Sequence, residues 1–310
     1  MGKTLVIANP ASHSGAGAEA AAVVEGSLEY YADDPASCHM LLTRATGDAL
    51  GFASDAAPFD TVIAVGGDGI IHEVVNGLMR IPEGERPRMA VVPVGSGNDF
   101  ARTLGMVRND AARALRQISG GVERPIDLGL VDGETYFAET LSFGLDAAIA
   151  LDTSDRRARD AVQKGSALFA TSGVKIMARA KEGWDYRLTL EGPDGVCQKS
   201  TGSSIVFAVQ NGPTYGGGFK ITPAAQPDDG LLDFCCSIGA PSIPLTLATF
   251  AAARFGMHTS SSHLRFAQLR RMEVSFATEP PSQVDGEPIH GTHHMVEVVP
   301  GALRVVFPKD

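Results

Sequence analysis

Short apolar runs alternate with helical patterns through the first third of the chain. Thr4–Ala8, His39–Thr43, Thr61–Val65 and Met89–Val94 each predict a buried strand. Ala16–Tyr31 predicts an Ala-rich helix and Gly47–Ala57 a second. Ile70–Arg80 sets Ile71, Val74, Val75 and Leu78 at helical spacing. Strand and helix in alternation predict a largely parallel sheet covered by helices.

The pattern changes after about Asp127. Strand-like runs follow at Thr135–Phe143, Asp185–Glu191, Ser203–Gln210, Leu231–Ser237, Arg271–Ala277, Met295–Val299 and Leu303–Phe307. Gly, Pro and Asp-Gly turns separate many of them, which predicts an antiparallel sheet. Two helical stretches interrupt it, Ser166–Lys181 and Ile243–Met257. The expected fold class is α/β: an N-terminal parallel-sheet domain over 1–127, then a C-terminal antiparallel β-sandwich-like domain over 128–310. The last strand of the second is free to return to the first. No internal repeat or low-complexity linker stands out.

A length of 310 residues suits two domains, and 44% hydrophobic with 20% charged residues fits a packed globular protein. The net charge of −10 argues against a general nucleic-acid binder, whose affinity comes from neutralising phosphates. Cys38, Cys197, Cys235 and Cys236 lack paired CxxC spacing and read as buried thiols of a reducing compartment. The apolar run Leu5–Ala8 is too short for a signal-peptide core. The charge-free stretch Ser237–Ala253 contains Gly239, Pro241 and Pro244, so it does not read as a spanning helix. A cytoplasmic protein is expected, one that would visit a membrane from the water side if it uses a lipid.

Three Gly-rich loops follow three of the first-domain strands. They are Asn9-Pro10-Ala11-Ser12-His13-Ser14-Gly15-Ala16-Gly17, Gly66-Gly67-Asp68-Gly69, and Pro93-Val94-Gly95-Ser96-Gly97-Asn98-Asp99-Phe100-Ala101-Arg102. Strand C-termini of a parallel sheet line up along one edge, where ligands bind. Glycines there let backbone N–H groups face an anion, and the following helices add positive dipole ends. Three such loops describe a polyphosphate cradle. Gly15-Ala16-Gly17-Ala18-Glu19-Ala20 also fits the GxGxxA dinucleotide pattern, but six residues separate the strand from its first glycine.

NPxSxxGxG, then GGDG with Glu73 on the following helix, then PxGSGNDFAR, resembles the diacylglycerol kinase catalytic family. That family includes soluble bacterial diacylglycerol kinases and the sphingosine and ceramide kinases. The likeness continues through Arg124-Pro125-Ile126-Asp127-Leu128-Gly129, Ser142-Phe143-Gly144-Leu145-Asp146-Ala147, Gly218–Ala224 with Asp228–Asp233, and Asp285-Gly286-Glu287. It departs at Ile70, where the family usually has Thr, so a hydroxyl is absent. Ser96 keeps the hydroxyl of the Thr often found there.

The resemblance implies ATP and Mg²⁺ as cofactors and a lipid hydroxyl as acceptor. By similarity, Asn9, Pro10, Ser12, His13, Thr43, Gly67, Asp68, Gly69, Ile70, Glu73 and Ser96 surround ATP, and Arg102 faces its phosphate oxygens. Asp68, Asp99 and Asp127 organise the Mg²⁺ network, in part through waters. Asp99 also reads as an ordinary helix N-cap before Phe100. Glu287, with Asp285 beside it, is the candidate general base; the same Asp-Gly-Glu also reads as a hairpin turn. A second metal site, structural or allosteric, is implied at Asp229 with the carbonyls of Gln226 and Leu231; a solvated turn is its alternative. The spacing of His290, His293 and His294 suits an exposed hairpin better than zinc.

The window Arg156–Lys181 holds seven bases against one acid, a net +6, beside Leu168, Phe169, Val174, Ile176 and Met177. That composition fits either an interfacial helix on anionic headgroups or a solvated helix of its own domain. The expected partner is thus a lipid substrate at a membrane surface, not nucleic acid, with a homodimer left open. Two rival readings stand: a NAD kinase-like enzyme, suggested by GGDG before a helix, and a catalytically weak ATP-binding regulator, suggested by Ile70. Diacylglycerol is the default acceptor, with phosphatidylglycerol and a sphingoid base open.

Overall fold

The computed structural model describes residues 2–31, 35–158 and 183–309. The chain divides into two compact units, Met1–Ile126 with Gly301–Asp310, and Asp127–Pro300.

In the first unit, β1 (Thr4–Ala8), β2 (Cys38–Leu42), β3 (Thr61–Gly66) and β4 (Arg88–Pro93) form a parallel sheet in the order β2-β1-β3-β4. Every residue of β1 and β3 is buried, as their unbroken apolar runs require. Helices α1 (Ala16–Tyr31), α2 (Asp48–Ser54), α3 (Asp68–Leu78), α4 (Asp99–Thr103) and α5 (Ala111–Ser119) accompany the strands. Glycine permits one close crossing: a Cβ on Gly77 of α3 would lie 2.6 Å from the Ala53 Cβ of α2.

The second unit is a sandwich of antiparallel sheets. One has the order β12-β11-β10-β7-β14-β15, built from β7 (Thr140–Gly144), β10 (Val206–Gln210), β11 (Leu232–Ser237), β12 (Leu264–Leu269), β14 (Ser282–Val284) and β15 (Glu287–Pro288). Facing it, β13 (Arg271–Phe276) pairs with β8 (Trp184–Glu191) and with the first part of β16 (His293–Phe307), and β9 (Cys197–Ser204) pairs with β8. Phe143, Phe207 and Phe234 of the first layer pack with Tyr186, Met272 and Val274 of the second. Edge-to-face rings, Phe207–Phe234 at 4.8 Å and Tyr186–Phe207 at 5.4 Å, knit this core. Helices α6 (Leu145–Ala158) and α7 (Ile243–Ala253) contribute to a second apolar cluster, around Ile149, Ile205 and Ala253.

Several expectations need correction. The run Thr135–Phe143 breaks into β6 (Thr135–Phe137) and β7, because Asp285 takes the amides of Ala138, Glu139 and Thr140. Ser203–Gln210 divides between β9 and β10, and β9 is a polar strand with no apolar alternation to reveal it. Met295–Val299 and Leu303–Phe307 are one strand, β16, whose end pairs parallel with β4 at Val305. The strand Val122–Val131, β5, was hidden by Arg124 and Pro125 within its exposed first half. Ser166–Lys181 lies outside the described residues, as does the basic window Arg156–Lys181 from residue 159 on. Cys235 and Cys236 are buried, but Cys197 is exposed.

Candidate active site

The three glycine loops meet at the C-terminal ends of β1, β3 and β4. Asn9 N–H donates to the Val65 carbonyl (3.0 Å), and Val94 N–H to the Gly66 carbonyl (2.8 Å). A Cβ on Gly66 would lie 2.9 Å from the Ser12 hydroxyl, and one on Gly95 only 2.6 Å from the Gly67 Cα. Gly66 has φ 156°, and loop contact at these distances requires residues without side chains.

Asp68 locks the second loop to the third. Its Oδ2 accepts from Asn98 N–H and its Oδ1 from Asp99 N–H, each at 2.8 Å. Asn98 takes the left-handed conformation (φ 54°), and its side chain donates to the Gly95 carbonyl. Asn109 completes the loop by accepting from Gly95 N–H at 3.1 Å. Asn98, not Asp99, is the N-cap of α4; Asp99 is its first residue.

Two carboxylates converge on Gly97. A Cβ there would lie 2.5 Å from Asp68 Oδ2 and 3.3 Å from Asp99 Oδ2. Mg²⁺ is commonly held by one or two carboxylates, with waters and substrate phosphates filling its shell, so the pair fits that ion. Among the described residues no group of three or more His, Cys, Asp or Glu could hold a metal by itself.

Arg102 Nε stands 3.6 Å from Asp99 Oδ1. Arg108, which carries no motif in the sequence, joins them: burial and the neighbouring Arg102 charge lower its pKa, while Asp99 opposes the shift. Two guanidiniums beside the third loop suit phosphate oxygens.

The other first-unit candidates lie on the first and third loops, on α3 and just past β2. Ser12 and His13 are half-buried, His13 with φ 50°, and Asn9 Oδ1 accepts from Ala11 N–H. Pro10 and Ser96 are half-buried on the first and third loops, and Gly69 is exposed at the start of α3. Thr43 N–H donates to the Ala8 carbonyl at the end of β1. Glu73 accepts from Gly47 and Ala49 N–H (3.0 and 3.1 Å), anchoring the start of α2. Ile70 is buried, its Cγ2 against Gly66. Thr is branched at Cβ in the same way, but Ile replaces its hydroxyl with an ethyl group.

Asp127, Asp285 and Glu287 belong to the second unit. Asp127 is buried, and its Oδ2 accepts from Gly230 N–H at 2.6 Å. It braces the turn holding Gln226, Asp229 and Leu231, in which Asp229 accepts from Leu231 N–H (3.0 Å) and from Gln268 (3.4 Å). Burial, with the Asp127 charge, raises the Asp229 pKa; burial also raises Asp233, to about 6. Asp285 and Gly286 form the two-residue hairpin between β14 and β15, both at positive φ. The Asp285 carboxylate accepts three backbone amides, whereas Glu287 is exposed on β15.

The histidine hairpin differs from expectation at one position. His290 and His293 are exposed, but His294 is buried, with Nδ1 2.8 Å from Asp132.

The second unit also holds an apolar cavity of about 70 Å³, open at its mouth. Ile149, Ile205, Ile221, Phe250 and Leu264 make it apolar. Asp146 is a polar exception; Tyr215 donates to it at 3.1 Å, and burial raises its pKa to about 7. The cavity is assembled from scattered single residues, which is why spacing gave no sign of it.

A parallel sheet with three glycine loops, followed by an antiparallel sandwich, defines a two-domain α/β protein with a candidate phosphate-binding edge. Residues 3–131 match the diacylglycerol kinase catalytic domain, and 139–307 the YegS C-terminal NAD kinase beta sandwich-like domain. The chain is 29% identical over 290 residues to a protein of Cronobacter sakazakii named "Probable lipid kinase YegS-like", covering 93% of this chain and 92% of that one. A protein of the same name from Yersinia enterocolitica is 27% identical over 289 residues, 93% of each. A solved "putative diacylglycerol kinase" of Bacillus anthracis str. Sterne shares the fold, with TM-score 0.78 and 24% identity over 98% of this chain and 96% of that one. The chain belongs to the diacylglycerol kinase catalytic-domain family, in the form that carries the YegS-type C-terminal sandwich. Membership of a kinase family implies ATP as the phosphate donor. Among the described residues no helix is long and apolar enough to cross a membrane.

Proposed function

We propose that this protein transfers the γ-phosphate of ATP to the hydroxyl of a membrane lipid, with diacylglycerol the first acceptor to test. The observation that carries the reading is the Asp68 junction, which holds two glycine loops together beside a third at one sheet edge. Phosphoryl transfer needs mainly positioning and charge stabilisation, and backbone amides fixed in this way supply both. Arg102 and Arg108 add positive charge beside the third loop. Asp68 and Asp99 would hold Mg²⁺, which neutralises charge on the phosphates when bound.

Glu287 takes the acceptor proton in this reading. Its neighbour Asp285 is engaged by three amides, while Glu287 is exposed on its strand. The cavity of the second unit is lined by apolar side chains, which favours contact with hydrocarbon and supports a lipid over a nucleotide acceptor. The names of the relatives point the same way.

The test is to incubate the protein with ATP, Mg²⁺ and, separately, diacylglycerol, phosphatidylglycerol, a sphingoid base and NAD, alongside Glu287→Gln. Phosphate should reach a lipid and not NAD, and the variant should be slower by about 10²-fold or more. Transfer to NAD alone would replace the lipid reading with its nearest rival.

A further inference from the structure

We propose that α7 and its flanking loops form the surface by which this protein docks on an anionic lipid bilayer. The inference deepens the lipid-kinase reading and rests on it for the identity of the cavity's ligand.

A helix on the surface of a globular protein ordinarily carries a polar face. Helix α7, Ile-Pro-Leu-Thr-Leu-Ala-Thr-Phe-Ala-Ala-Ala, has no charged residue on any side, and only Ala253 is buried. Apolar side chains stand out around it: Ile238 is 59% exposed, Ile243 44%, Phe255 69% and Met257 68%. Scattered exposed apolar residues are normal, but four of this size, Ile243 within one helix and three beside its ends, mark an interaction surface.

Two further observations select a bilayer as the occupant. The first is continuity with the cavity: Thr246, Thr249, Phe250 and Ala253 of α7 form part of its wall. One helix thus lines an apolar cavity and borders an exposed apolar surface. The second is charge. Arg254 caps the C-terminus of α7, and Arg265 on β12 stands opposite Cys236, two residues before Ile238, with no Asp or Glu in residues 234–265. That stretch is net +2 in a chain of net −10, which lowers its repulsion from an anionic surface. Apolar insertion with nearby cations is the composition of an interfacial element.

The test uses the full-length chain in a vesicle sedimentation assay without ATP. Wild type is compared with Phe255→Ser/Met257→Ser, two exposed positions outside the cavity wall, on vesicles of phosphatidylcholine with phosphatidylglycerol and of phosphatidylcholine alone. Wild type should bind the anionic vesicles at least tenfold better than the neutral ones, and the variant should lose at least tenfold of that binding. Thermal melting and phosphorylation of lipid in detergent micelles should stay close to wild type, because the substitutions are at the surface. Equal vesicle binding by variant and wild type, or no binding by either, overturns the proposal. So does a wild-type dimer that the variant converts to monomer, since the occupant is then a second copy. Vesicle binding without transfer to any micellar lipid would instead sink the acceptor reading and leave docking standing. Micellar transfer with unchanged vesicle binding would do the reverse.

Discussion

Asp68 accepts the backbone N–H of Asp99 at 2.8 Å, so a carboxylate at the start of one helix fixes the first residue of another. The same carboxylate holds Asn98 N–H. Asp68 is thereby a positioning group for the third loop as well as a candidate ligand for Mg²⁺. Asp68→Ala should lower transfer by at least 10²-fold and destabilise the fold by about 2–4 kcal/mol, the range for losing charge-assisted bonds to two amides. Asp68→Asn keeps one acceptor oxygen and should recover part of the stability but little of the rate. Urea unfolding and initial rates on the same preparations separate the two effects.

Gly95 marks a backbone contact that admits no side chain. Gly95→Ala would set its Cβ 2.6 Å from the Gly67 Cα, against backbone that cannot swing aside. We expect a loss of about 1–3 kcal/mol and at least tenfold weaker ATP binding, read by thermal melting and calorimetric titration. Gly26→Ala, in α1 with nothing within 4 Å of the new Cβ, should raise stability by up to about 1 kcal/mol.

Asp285 supports the start of β7. Asp285→Ala leaves three amides without this acceptor and should cost about 3 kcal/mol, seen as a lower urea midpoint. Glu287→Gln, by contrast, changes an exposed side chain and should leave that midpoint within about 0.5 kcal/mol. A rate loss there without a stability loss is the signature of a chemical role.

Asp146 predicts how stability responds to pH. Burial raises its pKa from 3.8 to about 7, so the folded state binds the proton more tightly than the unfolded chain. Its contribution is full below about pH 4 and is lost as pH rises through about 7. At roughly 1.4 kcal/mol per pH unit this is on the order of 4 kcal/mol. Asp146→Asn should flatten the stability profile between those limits, as measured by unfolding across the range. Asp233, raised to about 6 by burial, adds a smaller slope of the same sign that the variant keeps.

The first unit was legible because its strands are unbroken apolar runs and its loops carry glycines where backbones touch. Thr4–Ala8 and Ala16–Tyr31 stand at the bounds their patterns predict. The second unit was harder to read for physical reasons. Cys197–Ser204 is a polar strand, and the break between β6 and β7 is imposed from Asp285, far along the chain. At the candidate site, motifs point to Asp68 and Asp99, but Arg108 and Asn109 act through proximity that only folding creates. The cavity around Asp146 is likewise a product of packing, with no local signature.

The most direct test of the central claim is to follow α-labelled and γ-labelled ATP separately with diacylglycerol in mixed micelles. The account predicts that label from the γ position alone appears in the lipid, and that Asp68→Ala abolishes the signal. Lipid left unlabelled by both nucleotides while wild type binds ATP would contradict it.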